Sequence, residues 1–136
     1  YEIYHFNISS IFSWLTGNND MHLKNFSLYE AADKIRLTPA YDLLNAVIIN
    51  PKDDEELALT LNGRKKKLQR EDFIKSAVTL DIENVIVERL INKYIKLLPK
   101  FEAVIQSSFL SAELKEKYGE LLKERVERLS TNATKR

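Results

Sequence analysis

The sequence predicts a mainly α-helical domain that carries one small β-hairpin near its N-terminus. Apolar residues recur at intervals of three and four before Gly17 and again after Glu71, which is the period of helices with one buried face. Between these regions, two short runs of strand-forming residues flank a polar turn. The 136 residues, of which 44% are hydrophobic and 30% charged, are enough for one domain with its own core.

The first predicted helix ends near Gly17. Gly17 and Asn18 are residue types that stop a helix and turn the backbone. A polar loop is therefore expected directly after this helix. The apolar stripe of the helix consists of Tyr4, Ile8, Ile11, Phe12 and Leu15.

The hairpin is predicted from residues 26–29 and 35–38, which flank a polar turn at residues 30–34. Pro39 cannot donate to a strand ladder, so it ends the second strand.

The middle of the chain is predicted to be mostly loop. Residues 50–56 form a charged, proline-marked stretch without periodicity, which is typical of a surface loop. A short strand is predicted at residues 57–61, where leucines alternate with smaller residues before the turn at Asn62 and Gly63. We interpret the basic run at residues 64–67 as a solvated loop rather than a phosphate or nucleic-acid contact.

The rest of the chain is predicted to be helical from Glu71. Asp81 is expected to cap the second of these helices. Pro99 should kink or divide it, because proline lacks a backbone donor and clashes with the preceding turn. Ser111 is expected to cap the last helix, and residues 131–136 are predicted to be a frayed tail.

The composition excludes several classes of function. The net charge of +1 gives no global field for a nucleic-acid or membrane partner. The absence of cysteine excludes disulfides, thiolate zinc sites and thiol nucleophiles, and fits a reducing cytoplasm. No apolar run is long enough for a membrane-spanning helix. Because the chain begins with Tyr1 rather than Met, we expect a piece of a longer polypeptide.

The polar loop after Gly17 contains Asp20 and Asn25, which have the Asp-x-x-x-x-Asn spacing of the catalytic loop of protein kinases. Phosphoryl transfer needs a carboxylate near the acceptor hydroxyl and oxygen ligands for magnesium. Asp42 follows the predicted hairpin. Because a two-stranded ribbon folds back on itself, we expect Asp42 to lie close to Asn25. The order of helix, loop, hairpin and second Asp therefore predicts a phosphotransferase site.

Each polar residue of this region also has a structural interpretation. Asp20 could close a turn, Asn25 could be a turn amide, and Asp42 could cap a helix that starts directly after it. His22 could hold the loop by binding a backbone carbonyl, and Lys24 could form an exposed ion pair.

Two neighbours of the loop are given no chemical role. Tyr41 is interpreted as a packing residue. A metal site formed by His5 and His22 is disfavoured, because no carboxylate lies at ligand spacing to both.

Residues 12–27 closely resemble the catalytic segment of the HipA-like toxin kinases, whose pattern is an apolar helix end followed by Gly-Asn-x-Asp-x-His-x-Lys-Asn-Phe-Ser. Residues 37–44, Leu-Thr-Pro-Ala-Tyr-Asp-Leu-Leu, resemble the metal-binding Pro-x-Tyr-Asp-Leu segment of that family. The resemblance implies a cytoplasmic, ATP-dependent protein serine/threonine kinase of a toxin–antitoxin system. It also implies a helix-turn-helix antitoxin as partner, through which DNA is contacted, and an unidentified protein substrate.

The resemblance implies a role for each polar residue. Asp20 corresponds to the catalytic base. Asn25 and Asp42 correspond to the magnesium ligands, and His22 and Lys24 are expected to approach the phosphates of ATP. The nucleotide-binding set is therefore His22, Lys24, Asn25 and Asp42, with Mg²⁺ as cofactor.

The resemblance implies a kinase C-lobe-like helical domain over residues 1–136. Residues 1–70 would carry the catalytic loop, hairpin and metal-binding segment, residues 71–130 a helical subregion, and residues 131–136 a flexible tail. The sequence contains no glycine-rich phosphate loop and no strand lysine paired with a helix glutamate, which orient ATP in kinases. We therefore expect the chain alone to be weakly active or inactive.

Two other functions are compatible with the sequence. Small-molecule kinases of the aminoglycoside type share a His-x-Asp-x-x-x-x-Asn loop, although Asn18 stands at the position of their His. Alternatively, the helices after Glu71 form a non-catalytic interaction module for an antitoxin or DNA complex, and the loop is a relic. The basic run at residues 64–67 would favour this second function.

Overall fold

The computed structural model describes residues 2–131, which form five α-helices and one two-stranded antiparallel sheet. The predicted mainly helical fold with a small hairpin is confirmed. None of the helices in this range has the length and apolarity needed to cross a bilayer. The elements are α1 (Glu2–Thr16), a 3₁₀ turn (Leu23–Asn25), β1 (Leu28–Ala31), β2 (Lys34–Leu37), α2 (Arg70–Thr79), α3 (Asn84–Lys96), α4 (Leu98–Ser107) and α5 (Ala112–Ser130).

The core forms around Trp14 on α1, which is fully buried. Its indole ring packs edge-to-face against Phe73 of α2, with ring centroids 5.0 Å apart. Burying a large apolar side chain stabilises the fold by roughly 1.5–3 kcal/mol, so this layer holds α1 firmly against the later helices. The other members that are at most 1% exposed are Ile11, Leu15, Leu68, Ala77, Val87, Ile91, Leu122 and Leu129.

The hairpin is present, but its turn is tighter than predicted. β1 and β2 pair in a register that runs from Leu28 opposite Leu37 to Ala31 opposite Lys34. Only Ala32 and Asp33 form the loop, and both have positive φ angles, +50° and +59°. Two left-handed residues match the twist of a two-residue hairpin, so residues that were predicted to lie in the turn belong to the strands.

The hairpin is attached to α1 at two points. Glu2 accepts a 2.6 Å hydrogen bond from the backbone N–H of Leu37. The rings of Phe6 and Phe26 lie 4.9 Å apart. These contacts fix the direction in which the chain returns towards the end of α1.

The predicted strand at residues 57–61 is wrong. Leu57 and Leu61 are buried, but no strand forms here. An isolated bridge joins Leu61 and Arg64 around a turn at Asn62 and Gly63, and the N–H of Glu56 donates a 2.8 Å hydrogen bond to the carbonyl of Lys65. The alternation of leucines reflects the burial of one side of this segment, and within residues 2–131 no neighbouring strand pairs with it. The turn itself is confirmed.

The basic run after this turn is neutralised locally. Arg64 lies 3.6 Å from Asp72, and Lys65 and Lys66 pair with acids of the preceding loop. Exposed ion pairs of this kind contribute little stability. They leave three of the four cations of residues 64–67 already matched, which favours the solvated-loop interpretation.

The prediction that Asp81 caps α3 is wrong. Asp81 has a φ of +55° and ends α2 instead. Its N–H donates to the carbonyl of Val78, and the N–H of Ile82 donates to that of Ala77. This is the Schellman arrangement, in which a left-handed residue closes a helix. α3 begins three residues later, at Asn84, with Glu83 as its N-cap residue.

The other predicted helix boundaries agree with the structure. α3 and α4 are separate, and Pro99 lies in the first turn of α4, where its missing donor costs nothing. The hydroxyl of Ser111 accepts a 3.3 Å hydrogen bond from the N–H of Leu114 and caps α5. In the predicted tail, residues 132–136 lie outside the described residues.

Candidate active site

The polar loop begins where α1 stops at Gly17, as predicted. Gly17 has a φ of +77°. The N–H of Gly17 donates to Trp14 O and that of Asn18 to Ser13 O, which is again a Schellman ending. A Cβ on Gly17 would lie 2.6 Å from both Asn45 Oδ1 and Leu121 Cδ2. Glycine is therefore required here for its backbone angle and for space.

The segment after Asp42 docks on this helix end. The carbonyl of Gly17 accepts hydrogen bonds of 3.0 and 3.2 Å from the N–H groups of Ala46 and Val47. Asn45 fixes the same turn through a hydrogen bond from the N–H of Ile48 to its side-chain oxygen. The start of the loop and the end of the predicted metal-binding segment are thus one packed unit.

Asn25 and Asp42 lie in direct contact. The side-chain amide of Asn25 donates a 2.8 Å hydrogen bond to Asp42 Oδ2, so the expected proximity of these residues is confirmed. Asn25 is 8% exposed, and its side-chain oxygen accepts from the N–H of His22 at 3.2 Å. The 3₁₀ turn therefore sets the orientation of the Asn25 side chain.

Asp42 does not cap a helix. Its φ is +55°, whereas a helix N-cap has extended backbone angles. The next helix after it in residues 2–131 is α2, which begins at Arg70. The side-chain nitrogen of Asn18 contacts Asp42 and lies 3.4 Å from its carbonyl oxygen. Asp42 is exposed, and its carboxylate accepts the hydrogen bond from Asn25 through Oδ2.

Asp20, His22 and Lys24 are all exposed. Within residues 2–131, the side chains of Asp20 and Lys24 form no hydrogen bond or ion pair, whereas the His22 side chain faces the backbone of Asn25 in a capping box of the 3₁₀ turn. The turn at Asp20 is closed by its carbonyl, which accepts a 2.9 Å hydrogen bond from the N–H of His22, rather than by its carboxylate. The structural interpretations of Asp20 and Lys24 therefore find no support, and these two groups are available to a ligand.

The loop and Asp42 can accommodate a magnesium ion with its nucleotide. Asp42 has a carboxylate and Asn25 an amide oxygen; in this structure the amide nitrogen of Asn25 faces Asp42 Oδ2, and the amide oxygen accepts a hydrogen bond from the N–H of His22. No group of three or more His, Asp or Glu side chains within residues 2–131 competes with them. Mg²⁺ bound to a nucleotide takes one or two protein carboxylates and completes its shell with phosphate oxygens and water. The donor set fits that requirement.

A sequence model of the HipA-like C-terminal domain matches residues 2–101. This chain belongs to the HipA-like C-terminal domain family. The predicted family resemblance is therefore confirmed over most of the chain.

Two curated relatives of this HipA-like domain carry kinase names. It is 26% identical over 117 residues to a Haemophilus influenzae protein named "Putative kinase", a match that covers 74% of this chain and 34% of the relative. It is 34% identical over 79 residues to "Putative kinase Y4dM" of Sinorhizobium fredii, which covers 57% of this chain and 19% of that protein. The HipA-like domain thus spans about a third or less of the length of these relatives.

The fold is similar to that of a chain in the solved structure of the Shewanella oneidensis toxin–antitoxin system HipA, HipB and its operator DNA. The TM-score is 0.75 over 90% of this chain and 30% of that chain, at 20% identity. At this level of identity the likeness concerns the fold alone.

Sequence reasoning missed a role for Tyr41 in the HipA-like domain. The residue is 39% exposed, so it is not chiefly a packing residue. Its hydroxyl lies 2.8 Å from Ser27 Oγ and donates a 3.0 Å hydrogen bond to the carbonyl of Lys24. It therefore links the segment after the hairpin to the end of the polar loop. The signal in the sequence was the phenol itself, which usually finds a polar partner when it is held against a protein.

A second missed feature is Glu56, which was assigned to a surface loop. Its carboxylate accepts hydrogen bonds from Trp14 Nε1 at 3.0 Å and from both terminal nitrogens of Arg128 at 2.8 and 3.0 Å. Arg125 stacks over the Trp14 ring, 4.7 Å from its centroid, a favourable cation–π geometry. We call these four residues the Glu56 cluster.

The charges in this cluster support one another. Burial alone would raise the pKa of Glu56, but the hydrogen bonds from Arg128 and Trp14 and the charge of Arg125 outweigh it, so the pKa lies below its usual value. The same loop reaches the catalytic-type loop, because the side chain of Asn19 donates to Asp53 Oδ2 and to the carbonyl of Glu55. The loop that carries Glu56 is thus connected to the polar loop through Asn19.

The depression beside the polar loop of the HipA-like domain is open to solvent rather than enclosed. A cavity of about 740 Å³ lies between α4 and α5 and is lined by charged residues such as Glu102 and Lys123. Beside the loop, His22, Lys24 and Leu59 line an open depression of about 320 Å³. A ligand at the loop would therefore be held from one side by this domain.

Proposed function

We propose that this HipA-like domain provides the base and the metal ligands of an ATP-dependent protein serine/threonine kinase of a toxin–antitoxin system. The observation that carries the proposal is the contact of 2.8 Å between Asn25 and Asp42, beside an exposed Asp20 whose carboxylate has no partner within residues 2–131. Kinases use an aspartate as base and an asparagine and an aspartate as metal ligands, and these residue types are the ones that support the proposal. The kinase names of two relatives support the same reaction class.

In the proposed reaction, the hydroxyl oxygen of a serine or threonine attacks the γ-phosphorus of ATP, and the bond to the ADP oxygen breaks. Asp20 accepts the proton of that hydroxyl. Asn25 and Asp42 would hold Mg²⁺, which would offset negative charge on the phosphates. His22 and Lys24 lie in the same exposed loop, where they contact the phosphate oxygens and stabilise the charge that is transferred.

A helix-turn-helix antitoxin is the proposed partner, and the proposed contact with DNA is made through it. The support is the fold similarity to a chain in a complex of HipA with HipB and operator DNA. Because ATP is the phosphoryl donor, the proposed location is the cytoplasm.

The deciding experiment is Asp20→Asn in the natural protein, with Asp81→Asn as the matched control. Asp81 is also an exposed aspartate, but it lies at the end of α2. A general base contributes roughly 10²–10⁴-fold to rate, so we expect transfer from γ-labelled ATP to lysate proteins to fall at least about 100-fold in Asp20→Asn alone. Circular dichroism should show both variants folded.

Three outcomes would contradict parts of this proposal. Phosphorylation that survives Asp20→Asn excludes Asp20 as the base. Transfer to an aminoglycoside in preference to protein indicates a small-molecule phosphotransferase. A wild-type protein that binds neither Mg²⁺ nor ATP in a calorimetric titration indicates a relic loop in a non-catalytic interaction module.

A further inference from the structure

We infer that Asn18 is a positioning residue that holds the backbone of Asp42, and with it the orientation of the metal-binding carboxylate. The inference rests on the proposed function, because it assigns Asp42 to the metal. Three observations carry it. The Asn18 side chain is buried, its nitrogen is hydrogen-bonded to the carbonyl of Asp42 across 24 residues of sequence, and Asp42 has a left-handed backbone angle.

Asn18 is itself rigidly placed. It follows Gly17 in the Schellman ending of α1, and its N–H donates a 2.8 Å hydrogen bond to the carbonyl of Ser13. Its side chain is almost completely buried, with 1% of the residue exposed. The side-chain nitrogen therefore has a fixed position, from which it reaches the carbonyl oxygen of Asp42 at 3.4 Å and the sulfur of Met21 at 3.7 Å.

Asp42 needs such support because its φ of +55° is uncommon for a residue with a side chain. Backbone strain of this kind persists only where surrounding contacts determine it. Two amides meet Asp42 from different sides. Asn18 contacts the main-chain carbonyl, and Asn25 contacts the carboxylate at 2.8 Å. Together they set both the backbone and the side chain of the proposed ligand.

The chemistry of Asn18 indicates a role for its donor rather than for its bulk. Its side-chain oxygen is buried and has no hydrogen-bond partner within the described residues. A buried unsatisfied acceptor costs roughly 1–3 kcal/mol, a cost that leucine of similar size would avoid. An amide at this position is therefore explained by the bond that its nitrogen makes to Asp42.

The test compares Asn18→Leu with wild-type protein over a range of Mg²⁺ concentrations in the phosphoryl-transfer assay. Loss of an outer group that orients a metal ligand typically costs ~10–100-fold in metal affinity. We expect the Mg²⁺ concentration for half-maximal rate to rise by a factor in that range. The rate at saturating Mg²⁺ should recover to within a few-fold of wild type, which separates Asn18 from Asp20.

Asn7→Leu is the matched control, because Asn7 is also a buried asparagine, at 2% exposure, and its side-chain oxygen also lacks a partner within residues 2–131. It lies on α1 and makes no hydrogen bond to the segment around Asp42. We expect no change in its Mg²⁺ dependence. If Asn18→Leu does not fold, Asn18→Ala removes the same donor without adding bulk and carries the same expectation.

The outcomes separate this inference from the proposed function. An active wild-type protein and an Asn18→Leu variant with unchanged Mg²⁺ dependence would overturn the inference alone. An equal rise in Asn7→Leu would also overturn it, because loss of any buried amide would then suffice. A wild-type protein without Mg²⁺-dependent transfer would overturn the proposed function. As an activity-independent check, amide exchange of residues 43–47 should be faster in the Asn18 variant than in the Asn7 variant.

Discussion

The side-chain amide of Asn25 donates a 2.8 Å hydrogen bond to the carboxylate of Asp42, across 17 residues of sequence. The hairpin brings the two residues together, since β1 and β2 occupy the chain between them and return it to the end of α1. Two oxygen-bearing side chains are thereby held at one point on the surface of a HipA-like domain. The first prediction follows from this contact.

Asp42→Asn should weaken Mg²⁺ binding with little effect on the fold. Asparagine tolerates left-handed backbone angles as well as aspartate does, but it lacks the charge that a hard cation prefers. We expect the Mg²⁺ affinity, measured by calorimetry in the presence of ATP, to fall at least about tenfold. Asp33→Asn is the control, because Asp33 is also exposed and has a φ of +59°. An unchanged affinity in Asp42→Asn would remove Asp42 from the metal site.

Tyr41→Phe should loosen the metal-binding segment. It removes the hydroxyl that lies 2.8 Å from Ser27 Oγ and donates to the carbonyl of Lys24. A hydrogen bond contributes about 0.5–1.5 kcal/mol to stability. Because Tyr41 is partly exposed, we expect the unfolding free energy, measured in urea, to fall by an amount at the lower end of that range. Tyr29→Phe is the control, since Tyr29 is similarly exposed, at 44%. Equal effects in both variants would argue against a specific role for the Tyr41 hydroxyl.

Gly17→Ala should destabilise the protein by about 2 kcal/mol or more, because a left-handed angle and overpacking each cost roughly 1–2 kcal/mol. The added Cβ would meet Asn45 and Leu121 at 2.6 Å. Gly119→Ala is the control, and its expected effect on stability has the opposite sign. No atom lies within 4 Å of a Cβ at Gly119, so alanine should stabilise α5 by up to about 1 kcal/mol. Opposite shifts in thermal midpoint are expected, and a neutral Gly17→Ala would contradict the close approach.

Glu56→Gln should cost much more stability than the loss of an exposed acid. The Glu56 side chain is 12% exposed and the Arg125 and Arg128 side chains are 5% and 16% exposed. Leaving buried cations without their counter-charge typically costs about 3–5 kcal/mol, and the retained amide lowers our expectation to about 2–4 kcal/mol. Glu113→Gln is the control, because Glu113 pairs with Lys117 on the surface of α5. A similar urea midpoint for both variants would contradict the importance of the cluster.

The same carboxylate predicts a pH dependence. Despite burial, which acts in the opposite direction, Arg128 and Trp14 hold the pKa of Glu56 below the reference value of 4.5. A depressed folded-state pKa gives stability that is fully present above the unfolded-state pKa and is lost as pH falls through the folded-state pKa. The difference in unfolding free energy between wild type and Glu56→Gln should therefore be constant from neutral pH to about pH 5 and shrink below it. A difference that grows in acid would have the wrong sign.

Local features of the structure could be predicted from the sequence. The end of α1 at Gly17, the division at Pro99 and the cap at Ser111 depend on backbone chemistry within a few residues. Where local prediction failed, the same sequence pattern was compatible with two different local structures. Asp81 is a good N-cap by type, but it also tolerates the left-handed angle that ends α2. The leucines of residues 57–61 show burial, but a strand also needs a partner.

By itself the sequence determined the family resemblance, the helical class, and the chemical groups in the loop from Asp20 to Asn25. These depend on residue type and short-range order. Only the tertiary structure decided which groups meet: Asn18 with the carbonyl of Asp42 over 24 residues, and Glu56 with Arg128 over 72 residues. The reason is physical. Such contacts arise when separate elements bury their apolar faces together, and that packing leaves no periodic trace at the polar residues that it brings into contact.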